Sequence, residues 1–413
     1  MSRKRLGAAR CRTALVAGAL LLAACLELAA LDVVAGPSST RALSPQVYQR
    51  LSEVQELMGQ GEYAAAEQRL NRLLPELAPR GYEKAVGLQM LALTQGARQR
   101  YRQAAQSLAA SVALEVLPED AQQQARYDLA QLYLAADMPA QAVPVIETWF
   151  QQAEQPAAAA YFLLGTAYVQ SKQYRKAISP LQRAIETAQS PDESWFQTLL
   201  ATHYELADYQ SCAKVLESMV RLFPERDYWQ QLAGVYLLLH RDERALTVLE
   251  LAHRQQRLQR EQDLLQLAQL YLAQDIPFKA AQLLDTAMQS GAVAASADNL
   301  ELLAGAWAQA RERSKAIAAY QRALRAGAKA QLGLYLAELY IEDEHWEQAA
   351  ATVETLLKRG GLSDPGDAWL LLGIARYESS AFDAARSAFN EAARYKDASA
   401  AARQWLEHLR QQL

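Results

Sequence analysis

Five histidines are the first residues to question for chemistry: His203, His240, His253, His345 and His408. None stands at metal-ligand spacing from another ligand, and neither HExxH nor CxxC occurs. The three cysteines, Cys11, Cys25 and Cys212, are too few for a disulfide scaffold. Glu342-Asp343-Glu344 and the pair Glu261 and Asp263 are carboxylate clusters at expected helix ends, where solvated termini are the ordinary reading. Arg254, Arg257 and Arg260 form the densest basic stretch beyond the first dozen residues. That stretch reads either as a solvated connection or as a contact for an acidic partner segment. No Gly-rich phosphate loop and no G-x-S-x-G elbow is present. The expectation is therefore a chain that is not an enzyme, with no catalytic, cofactor-binding or metal site, whose function lies in its surface.

The elements carrying that surface follow from composition. The chain has 413 residues, 51% hydrophobic and 21% charged, enough apolar content for a large core. Only 18 Gly and 13 Pro are spread along it, which disfavours turn-dense all-β architectures. Ala, Leu and Gln dominate and favour helix. The net charge of −4 argues against nucleic acid as a partner.

The N-terminus reads as a targeting segment, set apart from fold reasoning. Arg3, Lys4, Arg5, Arg10 and Arg12 precede an uncharged, mostly apolar run from Thr13 to Leu26. That run is short of the roughly 20 residues needed to span a bilayer. It closes on Leu22-Ala23-Ala24-Cys25, which resembles a bacterial lipobox, in which the Cys25 thiol would carry lipid and residues 1–24 would be removed. Two alternatives stand beside it. One is an ordinary signal cut after Ala42, with Thr40 and Ala42 as the small residues. The other is an uncleaved signal anchor. The apolar stretch Leu26–Ala35 argues against lipidation, because mature lipoproteins usually open with a polar tether. Loss of residues 1–24 would take the net charge from −4 to −9. Cys212 would then stand alone, with no intrachain disulfide, even in an oxidising compartment.

From about residue 47 the chain repeats with a period of 33 to 38 residues. The cleanest unit is YFLLGTAYVQSKQYRKAISPLQRAI, Tyr161 to Ile185. With Ala158 as repeat position 1, a small residue recurs at position 8: Ala92, Ala130, Gly165, Ala233, Ala268, Ala304, Ala337 and Gly373. Position 20 is Ala in nine repeats, Ala177 among them, and Cys212 in the fifth. Position 11 is aromatic in six: Tyr133, Tyr168, Tyr236, Tyr271, Trp307 and Tyr340. Two antiparallel helices that cross closely need small residues at the crossing and larger ones in the grooves beside it. His203, at position 11 of the fifth repeat, reads as a packed helix-interior histidine, and Cys212 as an inert buried thiol. Pro139 and Pro277 fall where a second helix starts. Pro180 falls inside one and is expected to bend it.

This pattern resembles the tetratricopeptide repeat. The resemblance implies an all-α, right-handed α-solenoid of about ten helix-turn-helix repeats over residues 47–396. A leader at 1–24 and a tether at 25–46 would precede it, and a capping helix over 397–413 would close it. In that family the first helix of each repeat lines a concave groove through positions 2, 5, 9 and 12. Carried onto this chain, the partner-binding candidates are Tyr127, Gln131, Phe162, Val169, Tyr204, Leu272 and Tyr377. Leu134, Thr166, Gln197, Leu334 and Glu338 fall at equivalent positions. The set is aromatic, aliphatic and amide, without the Lys and Asn pattern of carboxylate-clamping relatives. It suits an extended or helical protein segment, although any one of these side chains could equally be core between repeats.

The runs RLFPERDYWQQLAGVYLLLHRDERALTVLELAHRQ, YLAQDIPFKAAQLLDTAM, NLELLAGAWAQA and DAWLLLGIARYESSAFDAARSAFNEAARY carry a narrower resemblance. They are similar to the exported tetratricopeptide proteins found with TonB–ExbB–ExbD systems of Gram-negative bacteria. Membership implies a periplasmic scaffold, with TonB-system components as protein partners in uptake of iron complexes or other nutrients. A lipoprotein scaffold for outer-membrane protein insertion, pilus assembly or polysaccharide export is the competing expectation.

Overall fold

The computed structural model describes residues 42–412, apart from Arg226 and Asp364. The leader, Cys25 and the Thr40-Arg41 pair lie outside these residues. Among those described, all regular structure is helical: twenty-one α-helices and one 3-10 turn, Leu74–Glu76. The helices pair into ten antiparallel hairpins, followed by a single last helix. No described helix is long and apolar enough to cross a membrane.

The chain divides into two compact units after Glu225. Unit 1 holds five hairpins: α1 Pro45–Gly59 with α2 Tyr63–Leu73, α3 Tyr82–Ala97 with α4 Tyr101–Val112, α5 Glu119–Ala135 with α6 Pro139–Gln152, α7 Ala158–Gln170 with α8 Tyr174–Thr187, and α9 Glu193–Glu205 with α10 Tyr209–Leu222. Unit 2 holds α11 Tyr228–Leu238 with α12 Asp242–Arg254, α13 Glu261–Ala273 with α14 Pro277–Gln289, α15 Ala297–Gln309 with α16 Arg313–Arg325, α17 Leu332–Glu342 with α18 Trp346–Arg359, and α19 Pro365–Glu378 with α20 Phe382–Ala392. The helix α21, Ser399–Gln412, closes it.

The small residues sit where the crossing argument puts them. Ala177 and its eight equivalents at position 20 are all fully buried. A Cβ added to Gly165 would come within 2.6 Å of the Leu181 side chain, and one on Gly373 within 2.4 Å of the Phe389 ring. These are contacts from position 8 of one helix to position 24 of its partner. In the fifth hairpin Leu200 and Cys212 replace two small residues. The Cys212 Sγ lies 4.0 Å from the Leu200 carbonyl oxygen, with both side chains buried. Burial pushes that thiol up to about 12. Helix α8 runs through Pro180 unbroken, and α6 does the same through Pro144.

Each hairpin turns through one residue in the left-handed region. It is always repeat position 15: Gly61 in the first repeat, then Gln99, Asp137, Lys172, Ala207, His240, Asp275, Arg311, Glu344 and Ser380. The non-glycine residues have φ between 54° and 61°. In the third repeat Asp137 N–H donates to Leu134 O at 3.1 Å and Met138 N–H to Tyr133 O at 2.8 Å. This pair of bonds satisfies the open carbonyls at the end of the first helix and recurs in the other repeats.

A second recurring device joins successive hairpins. The position 11 tyrosine meets position 25 of the preceding repeat. Tyr168 Oη donates to Glu147 Oε1 at 2.6 Å, Gln321 Nε2 donates to Tyr340 Oη, and Tyr271 bonds Glu250. A cation from position 19 covers the same aromatic ring: Lys176 over Tyr168 at 5.5 Å, Lys279 over Tyr271 at 5.5 Å and Lys315 over Trp307 at 4.3 Å. Tyr168 and Tyr271 are thus held between their own repeat and the one before it. At the far end Trp405 of α21 stacks on Phe389 at 5.5 Å, so the last helix covers the apolar face of the tenth hairpin.

Candidate functional site

The residues singled out for chemistry are absorbed by packing. His203 is 3% exposed, with Nδ1 3.3 Å from Asp208 Oδ2. Burial lowers its pKa, and the carboxylate opposes that only in part, so the ring is held towards its neutral form. The carboxylates Glu261 and Asp263 are not solvated termini. Asp263 is buried and accepts from Arg260 Nε at 2.9 Å and from Gln230 Nε2 at 3.2 Å. Glu261 accepts from Ala294 N at 3.1 Å and Asn299 Nδ2 at 2.8 Å, which pins the connection between α14 and α15. The basic stretch is likewise engaged within unit 2. Arg254 pairs with Glu250 at 3.0 Å and Arg260 with Asp263. No group of three or more His, Cys, Asp or Glu among the described residues is arranged to hold a metal ion.

The partner-binding candidates divide between the units. Tyr127, Gln131, Phe162, Val169 and Tyr204 lie on α5, α7 and α9, the first helices of three consecutive hairpins in unit 1. Leu272 lies on α13 and Tyr377 on α19, in unit 2. Tyr127, Gln131, Phe162 and Val169 are half-buried, while Tyr204 is 37% exposed. Leu272 is half-buried. Tyr377 is covered by α21: its Oη lies 3.0 Å from His408 Nε2 and its ring 5.3 Å from Trp405. Leu134 and Leu334 are fully core, at 7% and 3% exposure.

The aromatic face of unit 1 is larger than its sequence positions suggested. The Tyr127 ring packs on Trp149 at 5.2 Å, Trp149 on Phe150 at 5.1 Å, and Phe150 on Tyr161 at 5.1 Å. Phe162 stacks flat on Trp195 at 4.9 Å with a 15° interplanar angle. One group of partly exposed rings therefore links α5, α6 and α7, and a second pair links α7 and α9. Trp149 and Phe150 sit on a second helix and Trp195 at position 3, outside the groove positions of the repeat frame. The available signal was aromatic density between Trp149 and Phe162. Polar atoms accompany the rings. Thr166 Oγ1 and Gln170 Oε1 on α7 are buried without a hydrogen-bond partner. By contrast Thr148, Thr187, Thr198 and Thr202 each donate to the carbonyl four residues back.

Residues 127–194 and 334–406 match the family model of the tetratricopeptide repeat. These two stretches are similar to tetratricopeptide repeats. The first includes Tyr127, Trp149, Phe150 and Phe162 and ends just before Trp195, and the second spans α17 to α21 apart from its ends. Tetratricopeptide proteins stack such repeats into extended surfaces that bind other proteins. No curated protein sequence matches the chain. Similar solved structures include MamA from Desulfovibrio magneticus, 20% identical, covering 45% of this chain and 99% of that one, with a TM-score of 0.38. A tetratricopeptide repeat protein from Parabacteroides merdae is 16% identical over 63% of this chain and 98% of its own, also with a TM-score of 0.38. The tetratricopeptide domain of P58(IPK) is 13% identical over 89% and 98%, with a TM-score of 0.25.

Proposed function

We propose that the protein is a non-catalytic scaffold that holds an extended segment of a partner protein on the first-helix face of repeats 3 to 5. The observation that carries this reading is two clusters of rings that involve those first helices: Tyr127 with Trp149 and Phe150, and Phe162 with Trp195. Its rings stay partly exposed although the neighbouring Leu132 and Leu134 are core. Aromatic anchors in a groove dominate interface energy, at about 2 kcal/mol or more each when truncated. The same proposal places the scaffold in the periplasm, by its leader, as an accessory of TonB-dependent uptake of iron complexes or other nutrients. That part rests on the resemblance of its C-terminal two thirds to exported proteins of those systems. Lipid at Cys25 would tether it to a membrane. Stable anchoring needs more than one acyl chain.

In-cell crosslinking followed by identification of the recovered proteins tests the partner. A deletion strain, and a folded variant with Tyr127, Phe162 and Tyr204 replaced by Ala, are expected to lose growth on an iron complex that needs an energised receptor. Normal growth of the deletion strain on every such substrate, with no TonB-system component crosslinked, overturns the uptake role and favours the envelope-assembly scaffold. Unchanged partner affinity in the folded triple variant overturns the groove assignment. Palmitate labelling lost in Cys25→Ala is the result expected of the lipid tether.

A further inference from the structure

The charge of the stretch that carries Tyr127, Trp149, Phe150 and Phe162 is one-sided. Between Arg126 and Lys172 there is no Lys, Arg or His, in a chain with 42 Lys and Arg. The same stretch holds four carboxylates: Asp128, Asp137, Glu147 and Glu154. Three have structural or solvent explanations. Asp137 is the exposed turn residue at φ 57°, Glu154 is exposed, and Glu147 accepts from Tyr168. Asp128 has neither. It is half-buried on α5, on the turn that also carries Tyr127 and Gln131, and its hydrogen-bond partner is the neutral Gln124 amide at 2.9 Å. Burial pushes its carboxyl above the usual carboxylate range, and no cation among the described residues is seen to offset this. A carboxylate desolvated without a counter-charge is costly unless something else supplies that charge.

We infer that the segment held by repeats 3 to 5 carries a lysine or arginine among apolar side chains, and that Asp128 pairs with it. This rests on the groove reading above. The aromatic side chain of Tyr127 on the same helical turn, packed on Trp149, favours the same ligand, since an ammonium or guanidinium is attracted to aromatic faces. A free carboxylate terminus would meet a like charge here, so the surface is opposite in sign to a carboxylate clamp.

The test uses a random dodecapeptide library displayed on phage, panned against the mature chain, Asp128→Asn, and the Tyr127/Phe162/Tyr204→Ala variant, each shown to be helical by circular dichroism. The wild-type pool is expected to be enriched in Lys or Arg flanked by apolar residues, and the Asp128→Asn pool is not. For a synthetic peptide of the selected sequence, replacing the cation with Gln should weaken wild-type binding about tenfold and Asp128→Asn binding less than about twofold. Equal enrichment of cations by Asp128→Asn overturns the role of Asp128. A wild-type pool that is apolar but uncharged, and lost in the aromatic variant, overturns the cation and leaves the groove standing. No pool selected by the wild type over the aromatic variant overturns both.

Discussion

The turn residue at repeat position 15 allows a stability prediction with a clear sign. Ala207 occupies it in the fifth repeat at φ 54°, and Gly61 in the first at φ 80°. Both turns close through the same bonds: Ala207 N–H to Tyr204 O at 3.0 Å with Asp208 N–H to His203 O at 3.0 Å, and Gly61 N–H to Met58 O at 3.0 Å with Glu62 N–H to Leu57 O at 2.8 Å. The left-handed region costs an L-residue about 1–2 kcal/mol. Glycine escapes that cost but loses about 0.5–1 kcal/mol more chain entropy on folding. The Ala207 methyl is exposed, so its removal forfeits no burial. Ala207→Gly should therefore stabilise unit 1 by about 0.5–1 kcal/mol, near 2 °C in midpoint for a unit of about 200 residues. A Cβ on Gly61 would meet nothing within 4 Å, so Gly61→Ala tests the backbone alone and should destabilise by a similar amount. Urea and thermal unfolding followed by circular dichroism measure both. If Ala207→Gly lowers stability, or Gly61→Ala raises it, the turn is not held in the left-handed region and the recurring cap is wrong.

Two further outcomes follow from packing and burial. Ala177→Leu places a large side chain at a fully buried helix crossing and should cost about 1–3 kcal/mol, and an unchanged thermal midpoint would show that Ala177 is not at that crossing. Cys212 ionises near 9 when unfolded and near 12 when folded, so between those values the unfolded chain binds fewer protons and stability falls as pH rises. Tyr168 and Tyr271, raised from 10 to about 12, add the same trend from pH 10 upward. Cys212→Ala, the residue found at this position in the nine other repeats, should flatten the loss between pH 9 and 10 and leave the later one. Urea midpoints across that range that match in both proteins would refute the buried, inert thiol.

What could be read from sequence and what could not divide along a physical line. The crossing imposes a demand on residue type: only a small side chain fits at Ala177 or Gly165, so the repeat announces itself as Ala and Gly at fixed intervals. The turn at position 15 imposes a demand on backbone shape, and the flanking helices with their two hydrogen bonds meet it whatever the residue. Gln99, Asp137, Lys172, Ala207, His240, Asp275, Arg311, Glu344 and Ser380 share no chemistry, and glycine stands there in only the first repeat. The tyrosine locks fall between these cases. Tyr168 was legible as a groove-filling aromatic, but its bond to Glu147 depends on the register between two hairpins.

The binding face follows the same logic. Positions 5 and 12 found Tyr127, Phe162 and Tyr204 because each lies on one helix and obeys one period. Trp149 joins from the second helix of its hairpin, so its contact with Tyr127 exists only once that hairpin closes, and Trp195 joins from the next repeat, so its stacking on Phe162 exists only once hairpins are docked. Tyr377 shows the converse: the same period placed it on a binding face, and α21, which no repeat rule positions, covers it. A repeat frame thus locates side chains on a helix, while the neighbouring hairpin decides which of them remain available to a ligand. Asp128 is informative for that reason. It lies on the helix that carries Tyr127, yet no neighbouring hairpin among the described residues supplies a cation to its half-buried carboxylate.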